Sequence, residues 1–324
     1  MQKVAVLGVG AIGGWLAAAL AEAGLPVAVV ARGATLAALR QQGLRINRGD
    51  SGQVYRVAAG SSAELGPQDL VIIATKAQDV GRALPDLLPL LHANTAVVAA
   101  LNGVPWWFTQ RFAGPLQNVV LQSVDPDGAI ATAIAAERAV GCVVHASVTR
   151  IAPGCISVGK TDRLIFGEPA GGSSGRVQWL AETFERGGIK STVSNNIRMD
   201  TWAKLWGNMN MNPISALTRA GTARMLADNE LRTLCLRMME EMAAVGARIG
   251  LPFALSASER MAVTLKLGDF RTSMLQDLDH GASLEYQPQL GAVVEIARQA
   301  GVAAPYCESV LGLIRQLSVS VSGA

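Results

Sequence analysis

The sequence contains few of the residues from which metal centres, disulfide frameworks and nucleic-acid surfaces are built. Its 324 residues include three histidines and four cysteines, and no two cysteines have the C-x-x-C spacing. We therefore predict neither a disulfide framework nor a metal site. Lys plus Arg number 28 against 25 Asp plus Glu, without a long run of like charges. This balance argues against a nucleic-acid partner and favours a small or modestly charged ligand.

Long apolar runs are also missing. The nearest is at the N-terminus, where Lys3 precedes "VAVLGVGAIGGWLAAALAEAG" in the manner of a signal peptide. Glycines recur in this run where a strand would turn into a helix, and Glu22 interrupts it before it reaches the length of a membrane span. We therefore expect a cytoplasmic protein with no membrane partner.

The first half of the chain alternates short β-rich runs with Ala-rich stretches, which predicts βαβ units and a largely parallel sheet. The predicted strands are 3–8, 26–31, 69–75, 95–101 and 118–123. The predicted helices or loop-helix connections are 11–23, 33–42, 77–91 and 104–112. Pro-Gly turns among β-branched residues predict antiparallel hairpins over 140–167 at the edge of the same domain, before a helix and a last strand at 190–194.

The second half carries helical spacing and no convincing strand. Its predicted helices are 198–218, 229–250, 257–267, 284–300 and 305–318. Half of all residues are apolar, and the length exceeds that of a typical single domain, so two packed cores are expected. The predicted fold is α/β, with a Rossmann-type doubly wound domain over 1–195 and an all-helical domain over 196–324. The apolar helices favour a homodimer formed through the second domain.

A G-x-G-x-x-G motif follows the first strand and opens the first helix. In this context Gly8 makes the tight turn, Gly10 lets a pyrophosphate approach the backbone, and Gly13 lets helix and strand pack closely. The amides of the first helical turn, with Ala11 and Ile12, then face the phosphates. A chance occurrence of the spacing is the alternative, but its place after a strand favours a dinucleotide site.

The end of the second strand selects the form of the dinucleotide. An acidic residue there accepts from the ribose 2′-hydroxyl of NAD, whereas this chain has Arg32, which can pair with the 2′-phosphate of NADP. The alternative is a solvated loop arginine. We predict NADP (NADPH) as the cofactor.

Two more loops follow strands at the carboxyl edge of the predicted sheet, where ligands of open α/β folds bind. Lys76 follows the strand at 69–75, and Asn102 with Gly103 follows the strand at 95–101. A solvated lysine and an ordinary Asn-Gly turn are the alternatives. We expect Lys76 to hold cofactor phosphate or ribose and Asn102 to lie near the nicotinamide.

The predicted helix over 198–218 carries two different stripes. Lys204, Asn208 and Asn212 recur every four residues and form one polar stripe, while an apolar row that includes Trp202 and Trp206 lies about a quarter turn away. Pro213 removes a backbone donor, and it should kink the helix or end its regular part near Asn212.

Taken in order, these motifs resemble the ketopantoate reductases (2-dehydropantoate 2-reductases), from "GVGAIG" through "TKAQD" and "LNG" to "KLWGNMNMNPISAL" and "SMLQDLDHGASLE". The resemblance implies an NADP-binding Rossmann domain joined to a helical domain. It also implies that Lys204 is the catalytic lysine, followed by Asn208 and Asn212. Ser273 matches the family's substrate-binding serine, and Glu285 matches its conserved acid.

The chemistry of these residues agrees with that assignment. Hydride addition to a 2-oxo acid builds negative charge on the carbonyl oxygen, so a proton donor is needed there. Lys204 is the candidate general acid, and Glu285 is placed to orient its ammonium or to bind a substrate hydroxyl. Taken singly, each has an alternative explanation: a solvated lysine for Lys204, a helix N-cap for Ser273, and a first-turn acid for Glu285. The three histidines lack the acidic partner or motif of a dehydrogenase base, so we expect them to be structural.

The chain departs from the family pattern just after its conserved acid. The family has polar residues where this chain has Leu284, Gln287 and Leu290, which makes that wall less polar and favours a larger or more apolar 2-oxo acid. We predict NADPH-dependent reduction of a 2-oxo acid, with ketopantoate first. The alternatives are a D-2-hydroxyacid dehydrogenase on the same scaffold and an NADP-sensing protein without turnover.

Overall fold

The computed structural model describes residues 1–266 and 268–322. Leu267, Gly323 and Ala324 lie outside the described residues, as do the side chains of Lys160, Asp162 and Ser322. The last residue of the helix predicted over 257–267 and the end of the predicted second domain therefore lie outside the described residues.

The chain folds into two units, each made of two segments. The first unit contains Met1–Leu101 and Ala129–Asp200, and the second contains Asn102–Gly128 and the residues from Thr201 onward. The break before Thr201 lies close to the predicted boundary after residue 195. The segment 102–128 differs from the prediction, because it packs with the second unit.

Within the described residues of the first unit, ten strands form one sheet. They are β1 (Val4–Leu7), β2 (Val27–Val30), β3 (Leu44–Arg48), β4 (Ser51–Tyr55), β5 (Ala58–Gly60), β6 (Leu70–Ile73), β7 (Ala96–Ala99), β8 (Ala139–Ala152), β9 (Cys155–Gly167) and β10 (Ser191–Ser194). Their order is β4-β3-β9-β8-β7-β6-β1-β2-β5, and β10 pairs with β9. The helices of this unit are α1 (Ala11–Glu22), α2 (Gly33–Gln42), α3 (Ser62–Leu65), α4 (Val80–Leu87), α5 (Ala129–Ala133) and α6 (Gly175–Arg186).

The apolar runs of the first half become the parallel centre of this sheet. All four residues of β1, of β6 and of β7 are buried, as expected for strands covered on both faces. β1 pairs in parallel with both β2 and β6, and the buried side chains of α1 pack in the same core. The predicted Rossmann-type α/β fold is confirmed.

The antiparallel hairpin predicted over 140–167 is confirmed as β8–β9, and it lies inside the sheet and not at its edge, because β8 pairs in parallel with β7 and β9 pairs in parallel with β3. Other local features of this half of the chain differ from the prediction. The strands β3 to β5 were missed, since β4 is mostly exposed and contains glycine and glutamine without apolar alternation. The segments 104–112 and 118–123 form turns in the second unit and not a helix and a strand.

Side-chain contacts explain why 118–123 is not a strand. The Glu295 carboxylate accepts hydrogen bonds from the backbone N–H groups of Gln122 (2.7 Å) and Ser123 (2.9 Å) and from the Ser123 hydroxyl (2.6 Å). Two donors that a strand would use in its ladder are therefore bound to a side chain of the second unit.

The described residues beyond Asp200 are helical wherever they have regular structure. The helices are α7 (Ile197–Thr218), α8 (Thr222–Ala227), α9 (Asn229–Arg248), α10 (Ala257–Leu265), α11 (Ser273–Asp279), α12 (Ala292–Ala300) and α13 (Pro305–Ser322). A π-helical segment, Gln287–Gly291, precedes α12. None of the described helices is long and apolar enough to cross a membrane. The homodimer predicted to form through the helical domain stays a prediction.

Helix α7 carries the two stripes that the sequence predicted. Its apolar row is buried, and Trp206 both stacks on Phe253 at a ring-centroid distance of 3.7 Å and donates to the Met239 carbonyl at 2.9 Å. The helix does not end near Asn212, because it continues through Pro213 to Thr218. The apolar row on both sides of the proline holds the helix in place where one backbone hydrogen bond is missing.

Candidate active site

The start of α1 is shaped by glycines that leave no room for a side chain. Gly8 has φ +98°, and a Cβ there would lie 2.8 Å from the backbone of Ala74 and Thr75. A Cβ on Gly13 would lie 1.9 Å from the Gly8 carbonyl oxygen. The turn after β1 is therefore pressed against both the helix it leads into and the loop after β6, as the predicted roles of Gly8 and Gly13 require.

Gly10 differs from these two glycines, because a Cβ on it would meet no protein atom within 4 Å. It precedes the first residue of α1, where no side chain caps the helix and the first turn contains no acid. The amides of Ala11, Ile12 and Gly13 belong to this first turn, where N–H groups have no partner within the helix. An open glycine at an uncapped helix N-terminus has the shape and charge that fit a pyrophosphate.

Three of the predicted cofactor-binding loops lie at one edge of the sheet. Gly8 follows β1, Arg32 follows β2 and Lys76 follows β6, and β1 lies between β2 and β6 in a parallel arrangement. Carboxyl ends of adjacent parallel strands meet at the same edge, so the three loops lie at one edge of the sheet, and their part in cofactor binding stays a prediction.

Arg32 is not a solitary loop arginine. Its guanidinium pairs with the carboxylate of Asp86 in α4, and the Arg32 side chain is 74% exposed against 23% for Asp86. Because the pair is open to solvent, it contributes little to stability. An anionic ligand at this edge of the sheet would have to compete with the Asp86 carboxylate for the guanidinium, which is largely open to solvent. Asp86 was missed in the sequence, because no motif marks it.

Lys76 is half-buried at the start of a short 3-10 turn, Ala77–Asp79. Its backbone carbonyl accepts from the Asp79 N–H at 2.9 Å and from the Thr75 hydroxyl at 3.1 Å. These bonds fix the backbone from which the ammonium extends. The lysine is therefore held at the sheet edge and does not lie on a long flexible loop.

His92 corrects one prediction, since it does have an acidic neighbour. Its Nε2 lies 3.5 Å from the Asp69 carboxylate, which also accepts from the backbone N–H groups of Gln2 and Lys3. Asp69 precedes β6, so this cluster lies at the opposite edge of the sheet from the glycine motif. The cluster holds the N-terminus in place, and the structural role expected for His92 agrees with this location.

The second unit brings Lys204 and Asn102 together. The Lys204 ammonium donates a hydrogen bond of 2.7 Å to the side-chain oxygen of Asn102, although the two residues are far apart in sequence. Asn102 was predicted in the cofactor-binding half of the chain, and the structure packs it with the helical unit. An amide oxygen at this distance orients the ammonium without neutralising its charge.

The loop that carries Asn102 is fixed from its other side. Gly103 has φ +83°, and a Cβ there would lie 2.3 Å from the Pro288 carbonyl oxygen, which accepts the Val104 N–H at 2.8 Å. Only glycine allows this approach of the loop to the π-helical segment. Pro288 therefore sets the position of Asn102, and through it that of the Lys204 ammonium.

The asparagines of the polar stripe differ in their surroundings. Asn208 lies one turn after Lys204 and is half-buried, whereas Asn212 is 5% exposed and donates to the side-chain oxygen of Gln289 at 2.8 Å. Gln289 was missed in the sequence, because it lies in what reads as an ordinary apolar helix. The stripe is thus bound at its far end to the π-helical segment.

Glu285 and Ser273 lie at the starts of two other helical stretches. Glu285 is 8% exposed and comes just before the helical stretch that contains the π segment. Ser273 is exposed in the first turn of α11, and Thr272, not Ser273, caps that helix by accepting from the Leu275 N–H at 3.2 Å. The capping alternative for Ser273 is therefore wrong, and its hydroxyl is not needed for the helix.

Of the three departures from the family pattern, the two leucines are packed inside the unit, with Leu284 4% exposed and Leu290 fully buried. Gln287 is half-buried, and its side-chain oxygen would lie 2.4 Å from a Cβ on Gly291. In the described residues no three His, Cys, Asp or Glu side chains are grouped so that they could hold a metal ion.

The chain matches two family models in succession. Residues 4–171 match the model described as ketopantoate reductase PanE/ApbA, and residues 196–318 match its C-terminal model. A curated protein from Mesorhizobium japonicum, called 2-dehydropantoate 2-reductase, is 42% identical over 320 residues, which is 98% of this chain and 98% of the relative.

Solved structures also resemble this chain. A protein from Ralstonia solanacearum MolK2, titled as a candidate ketopantoate reductase, is 44% identical with a TM-score of 0.94, and the match covers 99% of both chains. A D-mandelate dehydrogenase solved with NADH and anilino(oxo)acetate has a TM-score of 0.84 at 20% identity over 99% of both chains. At that identity the likeness shows the fold alone.

Proposed function

Because the chain belongs to the ketopantoate reductase family, we propose that it reduces 2-dehydropantoate to pantoate with a hydride from NADPH. Relatives of this family are oxidoreductases that act on a CH–OH group. The observation that carries the proposal is the hydrogen bond of 2.7 Å between the Lys204 ammonium and Asn102. An ammonium oriented in this way on a helix supports a role as proton donor, which reduction of a carbonyl needs.

Lys204 is the proposed general acid. When bound, the dihydronicotinamide supplies the hydride that adds to the carbonyl carbon. As negative charge builds on the carbonyl oxygen, the Lys204 ammonium stabilises it and transfers one proton from Nζ to give the 2-hydroxy acid. Asn102 keeps the ammonium in position, and the neutral amine regains its proton from solvent.

The other polar residues of the second unit are proposed to bind the substrate. Asn208 lies on the same helix face as Lys204, and the exposed hydroxyl of Ser273 is free of any capping duty. Asn212 uses one amide hydrogen on Gln289 and keeps a second hydrogen and its oxygen for the substrate. Glu285 is proposed to accept a hydrogen bond from the single hydroxyl group of 2-dehydropantoate.

The first unit supplies the proposed NADPH site. The open position at Gly10 and the uncapped first turn of α1 would hold the pyrophosphate through the amides of Ala11, Ile12 and Gly13. Lys76 would add a positive charge to the phosphates, and Arg32 would pair with the 2′-phosphate. The fit depends on backbone that no side chain covers.

A screen of NADPH consumption over a panel of 2-oxo acids tests the function. We expect 2-dehydropantoate to give the highest kcat/KM, and a protein that consumes NADPH with no panel member would contradict the reductase proposal. A D-2-hydroxyacid dehydrogenase acting on larger acids is the second candidate, favoured by Leu284 and Leu290 at family polar positions. Higher kcat/KM with branched or aromatic 2-oxo acids than with 2-dehydropantoate would select it.

Arg32→Ala should reduce the preference for NADPH over NADH. Loss of a charge-assisted pair with the 2′-phosphate is expected to raise the KM for NADPH by about 10- to 100-fold and to leave that for NADH nearly unchanged. Initial rates at saturating 2-oxo acid, measured with each coenzyme, check the result.

Asp86→Asn is the matched control for Arg32→Ala. It keeps the side-chain shape but removes the carboxylate that pairs with Arg32. We expect its NADPH affinity to equal or exceed that of the wild type, because the guanidinium no longer has a competing anion. If Arg32→Ala lowers the affinity for NADPH and for NADH equally, Arg32 does not recognise the 2′-phosphate.

A further inference from the structure

A second cation lies against the helix that carries Lys204. Arg260 belongs to α10, and its Nη2 is only 2.7 Å from the position that a Cβ on Gly207 would occupy. Gly207 is three residues after Lys204 and directly before Asn208. Residues three and four apart are neighbours on a helix surface, with about 5–6 Å between their Cβ positions. The guanidinium therefore packs on α7 beside the proposed general acid.

The hydrogen bonds of Arg260 leave most of its donors unused within the described part of the chain. Nη1 donates to the Thr264 hydroxyl at 2.8 Å, and no carboxylate pairs with the guanidinium among the described residues. The adjacent acid, Glu259, instead completes a capping box, in which its carboxylate accepts from the Ser256 N–H at 2.8 Å. A guanidinium has five N–H donors, so the side facing Gly207 keeps its capacity for an anion.

Burial makes this arrangement costly without an anion. The Arg260 side chain is half-buried beside the buried Thr264, and desolvation lowers the pKa of its guanidinium. Charged side chains in such positions are usually paired, because removing a charge from water is unfavourable. The aliphatic part of the Arg260 side chain does not require a glycine at position 207. The close approach of Nη2 to α7 does require one.

We infer that Arg260 binds the carboxylate of the 2-oxo acid, which places the acid group beside Gly207 while Lys204 meets the adjacent carbonyl oxygen. The inference rests on the proposed function. In a 2-oxo acid the carboxylate carbon is bonded directly to the carbonyl carbon, so the two cations must lie close together, and Arg260 of α10 packs on α7 at Gly207, three residues after Lys204. A planar fork of N–H donors matches a carboxylate in two parallel hydrogen bonds.

The carboxylate itself is the best probe of this role. In the wild type, a 2-oxo acid should be strongly preferred over its uncharged 2-oxo amide. In Arg260→Gln we expect the KM for the acid to rise about 10- to 100-fold, the loss expected for a charge-assisted hydrogen bond, with a smaller change in kcat and none in NADPH affinity. The preference for acid over amide should be largely lost. Arg260→Lys should restore part of it.

Two more variants test the same role in case Arg260→Gln fails to fold. Gly207→Ala places a methyl group 2.7 Å from Nη2, so the guanidinium must move, and Thr264→Val removes the hydroxyl that holds Nη1. Both should weaken acid binding with the arginine present. The matched control is Arg237→Gln, an exposed arginine paired with Glu240, which should keep wild-type KM and discrimination.

The outcomes separate this inference from the proposed function. If the wild type reduces a 2-oxo acid and Arg260→Gln keeps the preference for acid over amide, the proposed role of Arg260 is overturned. The reductase proposal then still stands. Loss of discrimination in Arg260→Gln and Gly207→Ala, but not in Arg237→Gln, would establish the role of Arg260. Wild type without turnover of any 2-oxo acid would overturn both.

Discussion

Replacing Lys204 with alanine is expected to lower kcat for the 2-oxo acid by about 10²- to 10⁴-fold, the usual contribution of a positioned general acid. The dissociation constant of NADPH should not change, because the proposed phosphate-binding residues belong to the first unit. Stopped-flow NADPH oxidation gives kcat, and a fluorescence titration of NADPH gives its affinity. Together the two measurements distinguish a slower chemical step from weaker cofactor binding.

Two further substitutions separate charge from proton transfer. Lys204→Arg keeps a cation but cannot release a proton near neutral pH, so it should remain much slower than the wild type. Asn102→Ala removes the oxygen that accepts the ammonium at 2.7 Å, and it should lower kcat less than Lys204→Ala does. Lys190→Ala, at an exposed lysine, is the control and should have wild-type rates.

The same experiment decides whether the chain is an enzyme at all. An NADP-sensing protein without turnover predicts that wild type and Lys204→Ala bind NADPH equally and that neither oxidises it. If the wild type is active and Lys204→Ala retains its full kcat, Lys204 is not the general acid. Turnover in the wild type that is lost in the variant excludes the sensing alternative.

Local signals in the sequence were sufficient for the glycine motif and for the face of α7. The turn at Gly8 and the close packing at Gly13 follow from the step between strand and helix, which a short stretch of chain contains. The polar and apolar stripes of α7 follow from helical periodicity, and the apolar row is buried as predicted. Each depends on residues within two or three turns.

Features that depend on contacts distant in sequence were not accessible in this way. Asn102 reads as a loop residue of a Rossmann domain, but Pro288 holds its loop in the helical unit. The run at 118–123 has the composition of a strand, but Glu295 takes its backbone donors. Arg260 has no motif, and only the fold places it against Gly207. In each case a residue far along the chain decides the structure.

Gly13→Ala is expected to destabilise the first unit and to weaken NADPH binding at the site proposed for it. The added Cβ would lie 1.9 Å from the Gly8 carbonyl oxygen, so the turn or the helix must move. Forcing extra atoms into a packed site typically costs about 1–3 kcal/mol of the free energy of unfolding, and a backbone contact that cannot rotate away belongs at the upper end. NADPH affinity should fall with it, because the amides of the first turn are displaced.

Gly10→Ala separates the two effects, because a Cβ there meets no protein atom within 4 Å. Its free energy of unfolding should fall by only about 1 kcal/mol, the typical cost of placing alanine at a helix N-cap. If Gly10 keeps space for a pyrophosphate, NADPH should still bind about 10- to 100-fold more weakly, from the loss of charge-assisted hydrogen bonds to backbone amides. Thermal or urea unfolding and NADPH titration measure the two quantities independently.

Gly81→Ala completes the comparison, since this exposed glycine in α4 has equal space around it and no proposed part in binding. Alanine there should be neutral or stabilising by about 0.5–1 kcal/mol with unchanged NADPH affinity. Gly10→Ala with wild-type affinity would mean that the dinucleotide does not approach the backbone at this turn. If Gly10→Ala is stable but binds NADPH weakly, and Gly81→Ala has no effect on binding, then position 10 is a glycine because the ligand needs the space.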